Sequence, residues 1–255
     1  MPLIKGKYST NFRDWLEFWT EHPDISLWRT HNVTYIVRAA LKATNVVLRY
    51  DIDSIKDGGR TIMKMADTME ELGVFGSFYI IPDDFNYKYY TKSKDLFLGL
   101  QKRGHEIGLH VNSAEASHSP KWTGRLPKVA VIRLKHDIKR MKDDGFNVWT
   151  MAAHGIGCKY TNRNVMEDYD NNIPMAFHKS FQDSECFLSD SRKQLTIADD
   201  IDILPGNAKG SNNLKNTTRI GYVLLHPESF TLNLDTIARN YFRVRDLPKG
   251  YIYTL

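Results

Sequence analysis

Val46-Val47-Leu48-Arg49-Tyr50-Asp51-Ile52-Asp53 is an apolar run that ends on two carboxylates. It reads as a buried strand. In an extended chain residues two apart point the same way, so Asp51 and Asp53 face one cavity. Two acids held together repel, and one relieves the strain by keeping a proton or a metal cation. Much later Leu224-Leu225-His226-Pro227 puts an imidazole at the end of a second apolar run. A metal, a base and an acid are what hydrolysis of an unactivated amide or ester requires.

Outward from the first strand, helix and strand signals alternate. Val33, Ile36, Val37, Ala40 and Leu41 keep helical spacing before it. After Asp57-Gly58-Gly59, the residues Ile62, Met65, Ala66, Met69 and Leu72 form one helical stripe, and Gly73 suits its end. Ser77–Ile81 reads as a strand, Leu96, Phe97 and Leu100 as a helix stopped at Gly104, and Glu106–His110 as a strand. Val131, Leu134, Ile138 and Met141 mark a helix ending at Gly145, with a strand at Val148–Ala152. Further strands are expected at 175–177, 186–188, 201–204 and 222–225, and a helix at 234–242. Such alternation implies a parallel sheet with right-handed crossovers. The fold class expected is therefore α/β, a distorted (β/α) barrel of seven or eight parallel strands, with a doubly wound open sheet as the alternative. No glycine-rich dinucleotide fingerprint follows the first strand. One domain spanning 1–255 is expected, with 1–32, carrying Trp15, Trp19 and Trp28, an amphipathic extension packed on the barrel.

The 255 residues suffice for one such barrel. Apolar residues make up 42% and charged residues 25%, an ordinary balance for a globular protein. No run approaches a membrane span. The start turns polar at once, which predicts a cytoplasmic protein. Cys158 and Cys186 form no CxxC pair, so neither a thiolate metal site nor a disulfide framework is expected. The formal charge is +5, with a basic stretch at Lys135, Lys139, Arg140 and Lys142. That stretch reads as the wet face of a helix, or as an attractor of phosphate or an anionic membrane surface. No nucleic-acid motif accompanies the charge, so nucleic acid is not an expected partner.

Functional groups of a parallel barrel collect where strands end. Asp51, Asp53, His110, His154, Asp190 and His226 all fall there. A lone histidine is more often structural than a ligand, and an aspartate after a strand is often a turn former or cap. Their joint placement is the signal.

Arg49-Tyr50-Asp51-Ile52-Asp53, Gly104-His105-Glu106-Ile107-Gly108-Leu109-His110 and Leu224-Leu225-His226-Pro227 resemble the NodB-homology polysaccharide deacetylases, carbohydrate esterase family four. Ser189-Asp190-Ser191 and His226-Pro227-Glu228 are closer to a divergent branch associated with surface-polysaccharide synthesis. The resemblance covers about residues 46 to 230. It implies a metal-dependent hydrolase with Asp51 as base, Asp53 and His110 as ligands and His226 as acid. Asp190 would orient His226 or hold a sugar hydroxyl.

The chain departs from that pattern at Ala114, where the family has a second histidine. The third ligand is then His154, His118 or Glu115. His154 is favoured, because a strand end places a side chain more reliably than a loop does. Such a ligand set suits zinc, with manganese, cobalt or nickel as alternatives. The expected reaction removes an N-acetyl or similar group from an amino sugar, nucleotide-linked, lipid-linked or part of a polysaccharide precursor. Tyr79, Phe85, Tyr87 and Trp122 are candidates for stacking on the sugar. The competing readings are a non-catalytic sugar-binding protein on a degenerate barrel and another metal-dependent hydrolase.

Overall fold

The computed structural model describes residues 12–21, 25–32, 44–55, 57–83, 88–116, 126–155, 161–169, 186–189 and 219–230. The strands are β1 (Ile25–Trp28), β2 (Thr44–Ile52), β3 (Ser77–Ile80), β4 (Glu106–Val111), β5 (Met151–Ala153), β6 (Cys186–Ser189) and β7 (Arg219–Leu225). The helices are α1 (Phe12–Glu21), α2 (Arg60–Glu71), α3 (Tyr90–Lys102), α4 (Ser113–Ala116), α5 (Leu126–Asp143) and α6 (Asn162–Asp168). The helices expected at 33–41 and 234–242 and the strands at 175–177 and 201–204 lie outside the described residues.

Every pairing is parallel, in the order β5-β4-β3-β2-β7-β6. β2 is the central strand. β7 pairs along Thr44–Tyr50 on one edge. The other edge is shared: β1 takes Thr44–Val47 and β3 takes Arg49–Ile52. The segment before β2 thus supplies a strand to the sheet, which the aromatic spacing of 1–32 did not suggest. Among the described residues β5 and β6 remain the two ends of the path, so the strands form an α/β partial barrel.

The period-2 rule divides β2 into two chemistries. Leu48, Tyr50 and Ile52 are fully buried in the main core, which the helices supply with Phe12, Met65 and Phe97 among others. Phe12 meets the rings of Tyr50 and Phe230 edge-on, at 6.2 and 6.0 Å. Arg49 and Asp51, on the other face, are buried and charged. They share the inner face with Tyr79 of β3, Glu106 and His110 of β4, and Thr150 just before β5.

Glu106 anchors the floor of that interior. Its carboxylate accepts from Ser77 Oγ at 2.6 Å and from Thr150 Oγ1, and Thr150 in turn meets Tyr79 OH at 2.7 Å. Ser77 Oγ also accepts the Thr30 backbone N–H at 2.7 Å. A buried acid is tolerated because its oxygens are satisfied this way. β5 begins at Met151, later than the expected Val148. The Trp149 N–H turns back onto the Asn147 carbonyl at 3.0 Å, which holds Val148 and Trp149 out of the ladder.

Gly108 lets Tyr79 lie flat against β4. A Cβ there would stand 2.4 Å from the Tyr79 ring and 3.0 Å from the Thr150 carbonyl. Tyr79 cannot swing aside, because Thr150 holds its hydroxyl and Arg49 covers its ring. Gly108→Ala is expected to cost about 1–3 kcal/mol in denaturant unfolding, the range for overpacking a filled core.

A candidate metal centre

Four strand ends deliver the functional groups. Asp53 follows β2, His110 lies on β4, and His154 and His226 follow β5 and β7 directly. Tyr89 braces the first of these ends: its hydroxyl donates to the Ile52 carbonyl and accepts the Ile81 N–H at 2.9 Å.

The three imidazoles converge on the Asp53 carboxylate. His110 Nε2 lies 3.2 Å from Asp53 Oδ1, while His154 Nε2 and His226 Nε2 lie 3.7 and 3.8 Å from Oδ2. One donor atom each from Asp53, His110 and His154 falls within 4.8 Å of the others. Three strand spacings of about 4.8 Å would separate β2 from β5 by roughly 14 Å in a flat sheet. The Asp53–His154 contact therefore requires the sheet to curl.

The tautomer of His110 can be read from its partners. Nδ1 stands 3.2 Å from the Ala152 carbonyl, which can only accept, so Nδ1 carries the proton. Nε2 then faces carboxylate oxygens of Asp53 at 3.2 Å and Asp51 at 3.4 Å. Acceptor facing acceptor is repulsive unless a cation, a second proton or a metal, lies between them. Asp53 Oδ1 is buried and makes no hydrogen bond among the described residues. One oxygen and two imidazole nitrogens form a donor set that fits a divalent cation, and the Nδ1–H to carbonyl bond is the usual orienting contact of a ligating histidine.

Asp51 sits deeper, beside Arg49. The Arg49 guanidinium donates to both its oxygens, Nε at 2.7 Å and Nη2 at 2.5 Å. Arg49 Nη2 also reaches the carbonyl of Ala153, the last residue of β5, at 3.5 Å. Burial works against charge on Asp51, but Arg49 and then His110 outweigh it and hold the carboxyl below its usual range. Burial likewise opposes charge on Asp53, and the imidazoles of His110 and His154 bring it well below that range. Depressed carboxylates contribute stability above the unfolded value of about 3.9 and lose it as pH falls through their folded values.

Asp51, Asp53, His110, His154 and His226 are thus brought together. His118 and Asp190 lie outside the described residues, as does the Glu115 side chain. Tyr79, expected as a sugar-stacking candidate, is fully buried in the floor and unavailable for stacking. Phe85, Tyr87 and Trp122 lie outside the described residues. The basic stretch of α5 is largely engaged: Lys139 pairs with Asp143, Lys135 covers the Tyr169 ring, and Arg140 donates to the Pro82 carbonyl at 2.9 Å. His105 belongs to the helix side. Its Nδ1 accepts the Gly76 N–H at 3.2 Å and its Nε2 meets Glu70 at 3.0 Å, and burial pushes its pKa down.

Arg49 was not singled out as functional from the sequence. The available signal was its spacing, two residues before Asp51 on the same strand face. No helix among the described residues is long and apolar enough to cross a membrane.

No protein-family model matches this chain, and no curated protein matches it. Among solved structures it is similar to a mutant of the peptidoglycan deacetylase PdaC from Bacillus subtilis. The TM-score is 0.40 and the identity 13%, covering 71% of this chain and 74% of that chain.

Proposed function

We propose that this chain is a metal-dependent hydrolase that removes an N-acetyl or similar N-acyl group from an amino sugar, acting as a single domain. The observation that carries this reading is the grouping of three possible ligand atoms at the strand ends. One ligand atom each of Asp53, His110 and His154 lies within 4.8 Å of the others, with a buried carboxylate, Asp51, 3.4 Å from His110.

Asp53, His110 and His154 would hold the cation, zinc first and manganese, cobalt or nickel as alternatives. When bound, such an ion lowers the pKa of water and offsets negative charge on an acyl oxygen. Asp51 takes the proton from the attacking water. Held below its usual range by Arg49, it is ionised at neutral pH and ready to accept. His226, partly exposed and 3.8 Å from Asp53 Oδ2, donates a proton to the departing sugar nitrogen, without which an amine leaves poorly. Asp190 is assigned the role of orienting His226. The products are a carboxylic acid and a free amino sugar.

Acetate release should be screened over free, nucleotide-linked and polymeric N-acetyl amino sugars, with and without chelator. The expected result is release from at least one class, lost on chelation and restored by a divalent cation. Tight cation and sugar binding without release would instead establish the non-catalytic binding protein.

A further inference from the structure

We infer that Asn162 is a positioning residue of the centre, a strut that ties the first turn of α4, just after β4, to the residue that follows β5 and so sets where His154 stands. The inference rests on the metal-centre reading for its consequence, not for its geometry. Asn162 is fully buried at the first position of α6. Its Oδ1 accepts the Ala114 backbone N–H at 2.8 Å, and its Nδ2 donates to the His154 carbonyl at 3.0 Å. The His154 N–H is itself bonded to the Val111 carbonyl at 3.0 Å. Both backbone groups of His154 are thus fixed, one by the last residue of β4 and one by Asn162.

The strut needs a carboxamide. One side chain must accept from Ala114 and donate to His154 at once, and Asn does both. Asp can only accept, and would set a carboxylate against the His154 carbonyl. Ala does neither, and leaves an N–H in the first turn of α4 without its partner. The anchor under Asn162 is also specified. Thr161 caps α6: its Oγ1 accepts the Asn164 N–H at 3.3 Å, and its N–H donates to Asn164 Oδ1 at 2.9 Å. Ala114, apolar and fully buried, takes part through its backbone alone. Asn162 touches neither carboxylate of the centre in any of these bonds. Its effect reaches the centre only through the backbone of His154.

The test compares wild type, Asn162→Asp and Asn162→Ala in the full chain by three measurements. Zinc affinity comes from chelator competition, the visible spectrum from the cobalt-loaded protein, and the His154 imidazole signal from NMR of the metal-free protein. Both variants are expected to bind zinc at least about tenfold more weakly, as when an orienting contact of a ligand is lost. The cobalt spectrum should change, and the His154 signal should shift or broaden while that of His105 stays. Asn162→Asp keeps the Ala114 bond and the side-chain volume, so it reads the strut if Asn162→Ala fails to fold. A variant that loses unfolding stability but keeps zinc affinity, cobalt spectrum and the His154 signal would reduce Asn162 to a packing residue. If wild type binds no divalent cation, the proposed function fails, and the metal-free His154 signal still decides the role of Asn162.

Discussion

Asp53→Ala is expected to abolish cation binding and turnover together. The Asp53 carboxylate is where the three imidazoles meet, at 3.2, 3.7 and 3.8 Å for His110, His154 and His226. Without it, neutral nitrogens would have to hold a doubly charged ion. Loss of a contact that merely orients a ligand costs about 10–100-fold in metal affinity, and loss of the anionic ligand should exceed that. Metal content after dialysis and chelator competition measure it. The side chain is partly exposed and lies beyond the last core residue of β2, so the fold should survive the change. A variant that keeps full cation occupancy would remove Asp53 from the centre.

Asp51→Asn separates chemistry from binding. The amide keeps the shape but cannot accept a proton, so turnover should fall about 10²–10⁴-fold, the usual worth of a general base, with the cation retained. It also carries a stability cost, because Arg49 and Asp51 are both almost wholly buried. Breaking a buried pair by neutralising one partner leaves the other charge uncompensated, at about 3–5 kcal/mol. The pH dependence has a definite sign. The folded Asp51 carboxyl is held below its usual range, so its contribution is present above the unfolded value of about 3.9 and is lost as pH falls through the folded value. The stability gap between wild type and Asp51→Asn should be widest at neutral pH and narrow below about pH 4. Substantial residual turnover in a folded, metal-loaded variant would remove Asp51 as base.

The two chemistries of β2 were legible because strand geometry is local. A run that alternates Leu48, Tyr50, Ile52 with Arg49, Asp51, Asp53 can only present one apolar and one polar face. The glycine-terminated helical stripes were legible for the same reason: Gly73 and Gly104 adopt positive φ where α2 and α3 end. Contacts between distant residues were not. Nothing in the spacing of Ile25–Trp28 reveals a parallel partner for Thr44–Val47, since four residues carry too little pattern to specify a pairing. Tyr79 illustrates the converse. As a sequence position it was an aromatic near a strand end; its burial follows from Gly108 on the neighbouring strand β4 and Thr150 just before β5.

By itself the sequence determined which residues stand at strand ends, because alternation and turn residues act over a few positions. Tertiary structure decided which of those ends meet. Only the curl of the sheet brings the residue after β5 within 3.7 Å of the residue after β2. Only folding pairs Arg49 with the Ala153 carbonyl and Asn162 with Ala114 and His154, across chain separations of 104, 48 and 8 residues. Periodicity carries no information at such separations, since these contacts depend on how the strands are ordered and how far the sheet bends.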